Sequence, residues 1–252
     1  MSEFAGLSAL VTGGGRGIGA AIAAALTRGG AHVTILGRGE AQLAARVRAG
    51  EAAAYVKADV ADRPGFEAIM AGIAAEKVVD ILVNNAGAAT SAPFLKTSNA
   101  DFQRMLDVNL LGPVIAARAV LPGMIARKFG RIVNIASTAA LKGYPYVSAY
   151  VASKHALLGL TRALALETAK TGVTVNAVCP GFTDTDMVAA SVQTIVAKTG
   201  RTAQTARAEL ARINPMGRLI APEEVAYAVC SLARPESAAI TGTSIAVAGG
   251  EI

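Results

Sequence analysis

The chain's 252 residues are 53% apolar and 17% charged, which predicts one α/β domain over residues 1–252 with extensive burial, part of it between subunits. No uncharged apolar run of about 18 residues is present, Met1-Ser2-Glu3-Phe4 lacks a basic region followed by an apolar core, and the only cysteines are Cys179 and Cys230; this argues against a membrane span and a secretory leader and for reduced thiols in the cytoplasm. The net charge of +6 is dispersed, without a Lys/Arg block or interleaved aromatics, so it speaks against nucleic acid and for phosphorylated small molecules.

Ser8 to Thr12 reads as a buried first strand. It runs into Gly13-Gly14-Gly15-Arg16-Gly17-Ile18-Gly19 and then a helix over Ala20 to Arg28. Strand, glycine turn and helix is the context of a phosphate-binding loop: glycines allow close backbone approach, and the helix N-terminus offers free N–H groups and a positive dipole end. The spacing is Gly-x-x-x-Gly-x-Gly, which differs from the common dinucleotide fingerprint. Ala31 to Leu36 reads as the second strand. After it, where a dinucleotide fold reads the ribose, stand Gly37-Arg38-Gly39-Glu40. An acid there favours NAD, and an arginine accommodates a 2′-phosphate. Arg38 and Arg16 together suit a phosphate clamp, while Glu40 is predicted in the first turn of the helix Glu40 to Ala49. NADP is favoured and NAD stays open.

Ala53 to Ala58 is predicted as a third strand ending at Asp59-Val60, Pro64 to Ala75 as a helix, and Asp80 to Val83 as a fourth strand ending at Asn84-Asn85-Ala86-Gly87. A long helix spans Phe102 to Ala126, with Pro113 and Pro122 placed to bend or divide it. It carries Asn109, which needs polar partners if buried: either a helix-bending structural amide or part of a polar site.

Arg131 to Ala136 is the fifth strand and leads to Ser137. Tyr150 and Lys154 open the next helix, to Thr171, and at i and i+4 they share a face. An ammonium that close predicts a lowered tyrosine pKa and so a usable general acid or base, with the Ser137 hydroxyl free to hold a polarised carbonyl oxygen. The sixth strand, Val173 to Val178, ends at Cys179-Pro180-Gly181. Thr183 to Pro215 is long, mostly helical and basic through Lys198, Arg201, Arg207 and Arg212, which suggests a lid over substrate or a dimerisation segment. Pro222 to Ala233 is helical and Ser244 to Val247 a last strand. Alternating β and α units predict a doubly wound parallel sheet. His32 and His155 are isolated, so no metal site is expected.

Together these motifs resemble the classical short-chain dehydrogenase/reductase family along essentially the whole chain. Thr12 to Gly19 is similar to its glycine loop, Asn84 to Gly87 to its Asn-Asn-Ala-Gly motif, Ser137 with Tyr150 and Lys154 to its active site, and Pro180-Gly181 to its nicotinamide-side turn; Asn109 falls at its fourth catalytic position. Within the family, Asn134 to Thr138 and Asn176 to Phe182 are similar to aromatic-polyketide ketoreductases, 3-oxoacyl-thioester reductases and 3-hydroxyacyl-CoA dehydrogenases. The resemblance implies a Rossmann-type fold and NADP(H)-linked ketone–alcohol interconversion on a 3-oxoacyl or 3-hydroxyacyl thioester. Tyr150 would act as acid, Ser137 as oxygen holder, Lys154 as support for Tyr150 and the nicotinamide ribose, and Asn109 as holder of a relaying water. It implies cofactor contacts from Gly13, Gly15, Arg16, Gly17, Ile18, Gly19, Arg38, Asp59, Val60, Asn85, Ala86, Gly87, Tyr150, Lys154, Pro180, Gly181, Thr183 and Thr185, and a homotetramer built on the two long helices. An NAD-dependent dehydrogenase of a free cyclic, aryl or steroidal alcohol is the alternative enzyme, and a non-catalytic dinucleotide sensor the alternative class.

Overall fold

The computed structural model describes residues 3–252; Met1 and Ser2, part of the stretch read for a leader, lie outside the described residues. Among these residues seven parallel strands form one sheet in the order β3-β2-β1-β4-β5-β6-β7. They are β1 Ser8–Thr12, β2 His32–Gly37, β3 Ala54–Lys57, β4 Ile81–Asn84, β5 Gly130–Ile135, β6 Val173–Pro180 and β7 Ser244–Val247. β4, β5 and β6 are buried at every residue, as apolar, β-branched-rich strands covered on both faces must be. β3, at one edge, alternates half-buried with exposed residues instead.

On one face α1 (Gly17–Arg28) packs on α9 (Pro222–Ala233), with Ile22, Leu26, Val225 and Val229 meeting Val11, Val33 and Ile35 of the sheet. On the other, α3 (Arg63–Glu76) and α5 (Gly112–Arg127) bring Phe66, Met70, Ile115, Val120 and Met124 against Leu10, Leu82 and Ile132. α6 (Ser148–Thr168) joins them through Ala165 and places Leu157 and Leu158 over Ala177. α2 (Glu40–Arg48) closes the β2–β3 crossover, and Glu40 lies in its first turn as predicted. Because the strands run parallel, the ends of β1, β4, β5 and β6 converge on one sheet edge. β1 pairs with β2 on one side and β4 on the other, so strand order reverses there and opens a crevice.

The long helix expected over 102–126 departs from prediction. α4 (Asn99–Leu106) starts earlier, at a capping box of Ser98 and Asp101. It passes into a π-helical turn, Asp107–Leu111, before α5 begins. The interruption is this wide turn, just ahead of Pro113. Pro122 stands inside α5 without dividing it; Pro122 is exposed and so is Arg118, whose carbonyl loses a helical donor on the solvent side. The segment 99–127 is the one described helix long and apolar enough to cross a membrane, yet half of its apolar window is buried and it forms part of the core.

Candidate active site

The turn after β1 is held by backbone interlock. Thr12 is buried, and its hydroxyl accepts the N–H groups of Asn85 and Ala86, each at 3.0 Å. Asn85 Nδ2 donates to the carbonyls of Thr12 (2.9 Å) and Gly13 (3.2 Å). A Cβ at Gly13 would lie 2.8 Å from Asn85 Nδ2, and one at Gly19 only 2.3 Å from the Gly13 carbonyl oxygen. Gly14 packs on Ile35 in the same way, at 2.5 Å, so it serves the sheet. Asn85 therefore splices the β1 and β4 turns together.

α1 begins at this turn with Arg16 as its N-cap, no side-chain cap and no acid in its first turn. Its first N–H groups are left for an anion, and the dipole end is uncompensated. Gly17 has φ +52, and its Cβ would sit 3.1 Å from Thr185 Cγ2, which brings the segment after β6 over the loop. The residues present fit a dinucleotide pyrophosphate: a crowded glycine turn facing an uncapped helix start. Around it, Arg38 is about two-thirds exposed and 4.0 Å from Asp59, and Arg16 lies 3.3 Å from Asp186. Glu40 is paired with Lys57 at 3.6 Å. Val60 touches the start of α5, 3.1 Å from where a Gly112 Cβ would be.

Ser137 follows β5 and accepts the Ala139 N–H at 3.1 Å, starting a 3₁₀ turn over Thr138–Ala140. Tyr150 is in the first turn of α6 and Lys154 one turn on. Lys154 is 4% exposed; its Nζ donates to the Ile135 carbonyl at 2.8 Å and lies 5.8 Å from the centre of the Tyr150 ring. Burial pushes Lys154 down to about 8. The Tyr150 pKa is raised, by burial first; a hydrogen bond with Ser137 opposes this and nearby Cys179 adds to it. The Tyr150 shift therefore runs opposite to the lowering expected from its spacing to Lys154, with loss of solvent as its largest cause.

Asn109 is fully buried in the π-turn. Its Nδ2 donates to the Ala88 carbonyl (2.9 Å) and to Ser153 Oγ (3.0 Å), and its Oδ1 accepts the Ala88 N–H (3.0 Å). Ser153 Oγ in turn donates to the Tyr150 carbonyl at 2.7 Å. The side chain therefore ties the β4 turn to the helix bearing Tyr150. Gly87 lies between, 3.3 Å from Asn109 Oδ1 and 3.7 Å from Lys154 Nζ to a built Cβ.

After β6, Gly181 donates to the Val247 carbonyl at 3.0 Å, Thr183 Oγ1 donates to the Gly181 carbonyl at 3.1 Å, and Thr185 Oγ1 to the Thr183 carbonyl at 3.2 Å. The segment 183–215 is two helices, α7 (Asp186–Thr199) and α8 (Ala203–Ile213), with a small core of their own, Val188, Val192, Ala206 and Leu210. Arg201 pairs with Glu209 (2.7 Å) and Arg207 with Asp184 (2.6 Å). Among the described residues Lys198 reaches the Ser91 carbonyl alone, at 3.5 Å.

Three groups beside the candidate site were not among the predicted residues. Asn134 accepts from Asn84 Nδ2 (2.8 Å) and donates to Thr161 (2.9 Å), a buried chain under the site. Its signal was an amide inside an apolar strand. Tyr144 and Glu251 meet beside Ser137, and nothing in their spacing signals it, since they are 107 positions apart.

The parallel sheet with its reversal at β1, the glycine turn and the Ser137–Tyr150–Lys154 cluster define a nucleotide-linked oxidoreductase. The chain belongs to the short-chain dehydrogenase/reductase family, whose model described as short chain dehydrogenase matches residues 8–195, and it is an NAD(P)-dependent oxidoreductase. It is 39% identical over 247 residues to an acetoacetyl-CoA reductase of Shinella zoogloeoides, covering 96% of this chain and 97% of that protein. Among solved structures it resembles an actinorhodin polyketide ketoreductase with NADPH, at TM-score 0.91 and 36% identity over 97% of each chain. It also resembles a 3-oxoacyl (acyl-carrier-protein) reductase of Agrobacterium tumefaciens with NADP bound, at TM-score 0.88 and 35% identity, covering 98% of this chain and 95% of the other.

Proposed function

We propose that the protein interconverts a ketone and a secondary alcohol with NADP(H), and that its substrate is a 3-oxoacyl or 3-hydroxyacyl thioester on CoA or a carrier protein, handled by residues 1–252 as one unit. The observation that carries the reading is the gathering of Ser137, Tyr150 and buried Lys154 at the shared end of β5 and α6, where Lys154 Nζ donates to the Ile135 carbonyl and faces the Tyr150 ring. NADPH, when bound, supplies the hydride. Ser137 holds the carbonyl oxygen, and Tyr150 gives it a proton in the reducing direction. Lys154 carries its charge below a pH of about 8 and there supports the phenolate that Tyr150 becomes. Because the Asn109 amide is committed to Ala88 and Ser153, its carbonyl is the group to hold a relaying water; Pro113, four residues on, has no N–H to occupy it.

For the cofactor, Gly37 leaves room where an acid would meet the 2′-position. Arg38 and Arg16, both exposed and each next to one carboxylate, are the cations available to a 2′-phosphate. Relatives solved with NADPH and NADP support this choice. Ketoreductase and acetoacetyl-CoA reductase relatives support the thioester. Of the basic residues in the segment 183–215, Arg201 and Arg207 already face carboxylates. Lys198 and Arg212 are then the ones to meet CoA or carrier-arm phosphates. A homotetramer through α5 and α6 accounts for Leu166, 82% exposed on α6.

The test is absorbance at 340 nm with acetoacetyl-CoA, NADPH and NADH in parallel. Oxidation of NADPH in preference to NADH is expected, with Arg38→Ala raising the NADPH KM by about tenfold or more and leaving NADH unaffected. Activity with NADH alone removes the phosphate clamp and favours Glu40 on the ribose. Turnover of cyclic ketones but not acetoacetyl-CoA removes the thioester.

A further inference from the structure

The last residues of the chain return to the candidate site. Gly249 and Gly250 both have positive φ (59 and 90), and they turn Glu251 inward until its side chain is 2% exposed. Tyr144 donates to Glu251 Oε1 and is also hydrogen-bonded to Thr138 Oγ1 at 2.6 Å. Lys142 Nζ lies 3.0 Å from the same carboxylate oxygen and 3.3 Å from the Glu251 backbone carbonyl. The second oxygen, Oε2, is buried without a hydrogen-bond partner and stands 3.0 Å from where a Gly181 Cβ would be. The Tyr144 ring meets Phe182 edge to face at 6.3 Å.

This arrangement is costly unless it holds something in place. A buried carboxylate with one orphan oxygen is expensive. Its counter-charge comes from a lysine that is itself 38% exposed. What the carboxylate holds is Tyr144. Thr138, which Tyr144 touches, is the neighbour of Ser137, and Gly181 follows the end of β6. Tyr144 thus bridges Thr138, next to Ser137, and Phe182, next to Gly181, and its hydroxyl is held by Glu251.

We propose that Glu251 is a positioning residue for substrate: it fixes the Tyr144 ring as the wall that decides which way round a ketone lies against Ser137 and Tyr150, and so which alcohol enantiomer forms. This rests on the reading that these two hydroxyls receive the carbonyl oxygen. Glu251 takes no part in hydride or proton transfer. Glutamine can still accept the Tyr144 proton, whereas alanine cannot, and phenylalanine at 144 keeps the ring but loses its tether.

The experiment compares wild type with Glu251→Ala, Glu251→Gln and Tyr144→Phe. The ketone is the prochiral one that wild type reduces best among acetoacetyl-CoA, longer 3-oxoacyl thioesters and cyclic ketones. NADPH binding followed by fluorescence shows that each variant is folded. Enantiomer ratio, KM and kcat are then measured. Glu251→Ala and Tyr144→Phe are expected to raise KM about tenfold, with a smaller fall in kcat, and to turn a single enantiomer into a mixture. Glu251→Gln is expected to keep the ratio. An unchanged ratio and KM in a folded, NADPH-binding Glu251→Ala overturns the inference, as does an equal loss in Glu251→Gln and Glu251→Ala. Failure of acetoacetyl-CoA beside turnover of another ketone counts against the thioester alone, because the inference is then read on that other ketone.

Discussion

The crevice at β1 and the ground beyond β6 are built on different principles. At β1 the parts are backbone and small side chains locked together: Thr12, Asn85 and the glycines approach so closely that an added Cβ at Gly19 would overlap a carbonyl. Beyond β6, α7 and α8 share a small core and are tied outward by exposed ion pairs such as Arg207–Asp184 and Arg16–Asp186. Contacts this close leave the first region little room to shift. The second is held by interactions that water and salt weaken.

The largest effect should come where the two regions meet. Tyr150→Phe removes the proposed proton donor but little packing, so kcat should fall about 10³-fold while calorimetry shows NADPH still bound. A dinucleotide sensor would keep its function in this variant. Gly19→Ala attacks the locked region: it should lose roughly 1–3 kcal/mol of stability from overpacking, and NADPH binding with it. Normal NADPH binding would show the loop to be softer than its contacts imply.

Lys154→Met separates function from stability. The folded lysine titrates near 8, below its ordinary 10.5, so the unfolded chain binds more protons than the folded one between these values. Stability of the wild type therefore rises with pH across that window, and the burial penalty is complete below it. Methionine removes the penalty but leaves the Ile135 carbonyl without its donor. At pH 7 the variant should be inactive yet more stable by roughly 1–2 kcal/mol, with the gap closing by pH 10.5. A variant less stable than wild type at pH 7 would mean that the Lys154–Ile135 bond dominates. The smallest effect belongs to α8: Arg207→Ala should move Tm by less than about 2 °C. A larger drop would mark α7 and α8 as part of the cooperative core.

Much of the sheet and of the candidate site was legible in the chain. The boundaries of β1 and β7 coincide with prediction, because short apolar runs between turn residues have one reading. The glycine turn, the Asn-Asn-Ala-Gly stretch and Tyr150 with Lys154 each lie within a few residues, and the parallel sheet carries all their strand ends to one edge. The π-turn at Asp107–Leu111 was not legible, since prolines mark where a helix is weakened but not which turn widens. Nor was the direction of the Tyr150 shift: spacing gives the nearness of a charge, and only packing gives the loss of solvent that opposes it.

Sequence alone thus determined the strand–turn–helix units, the family and the groups able to do chemistry, because these depend on local pattern. Tertiary structure decided how they are used. It committed the Asn109 amide to Ala88 and Ser153, paired Arg201 and Arg207 with carboxylates, and brought Glu251 to Tyr144 from the far end of the chain. Hydrogen bonds and burial act between neighbours in space, and no spacing along a chain records who those neighbours are.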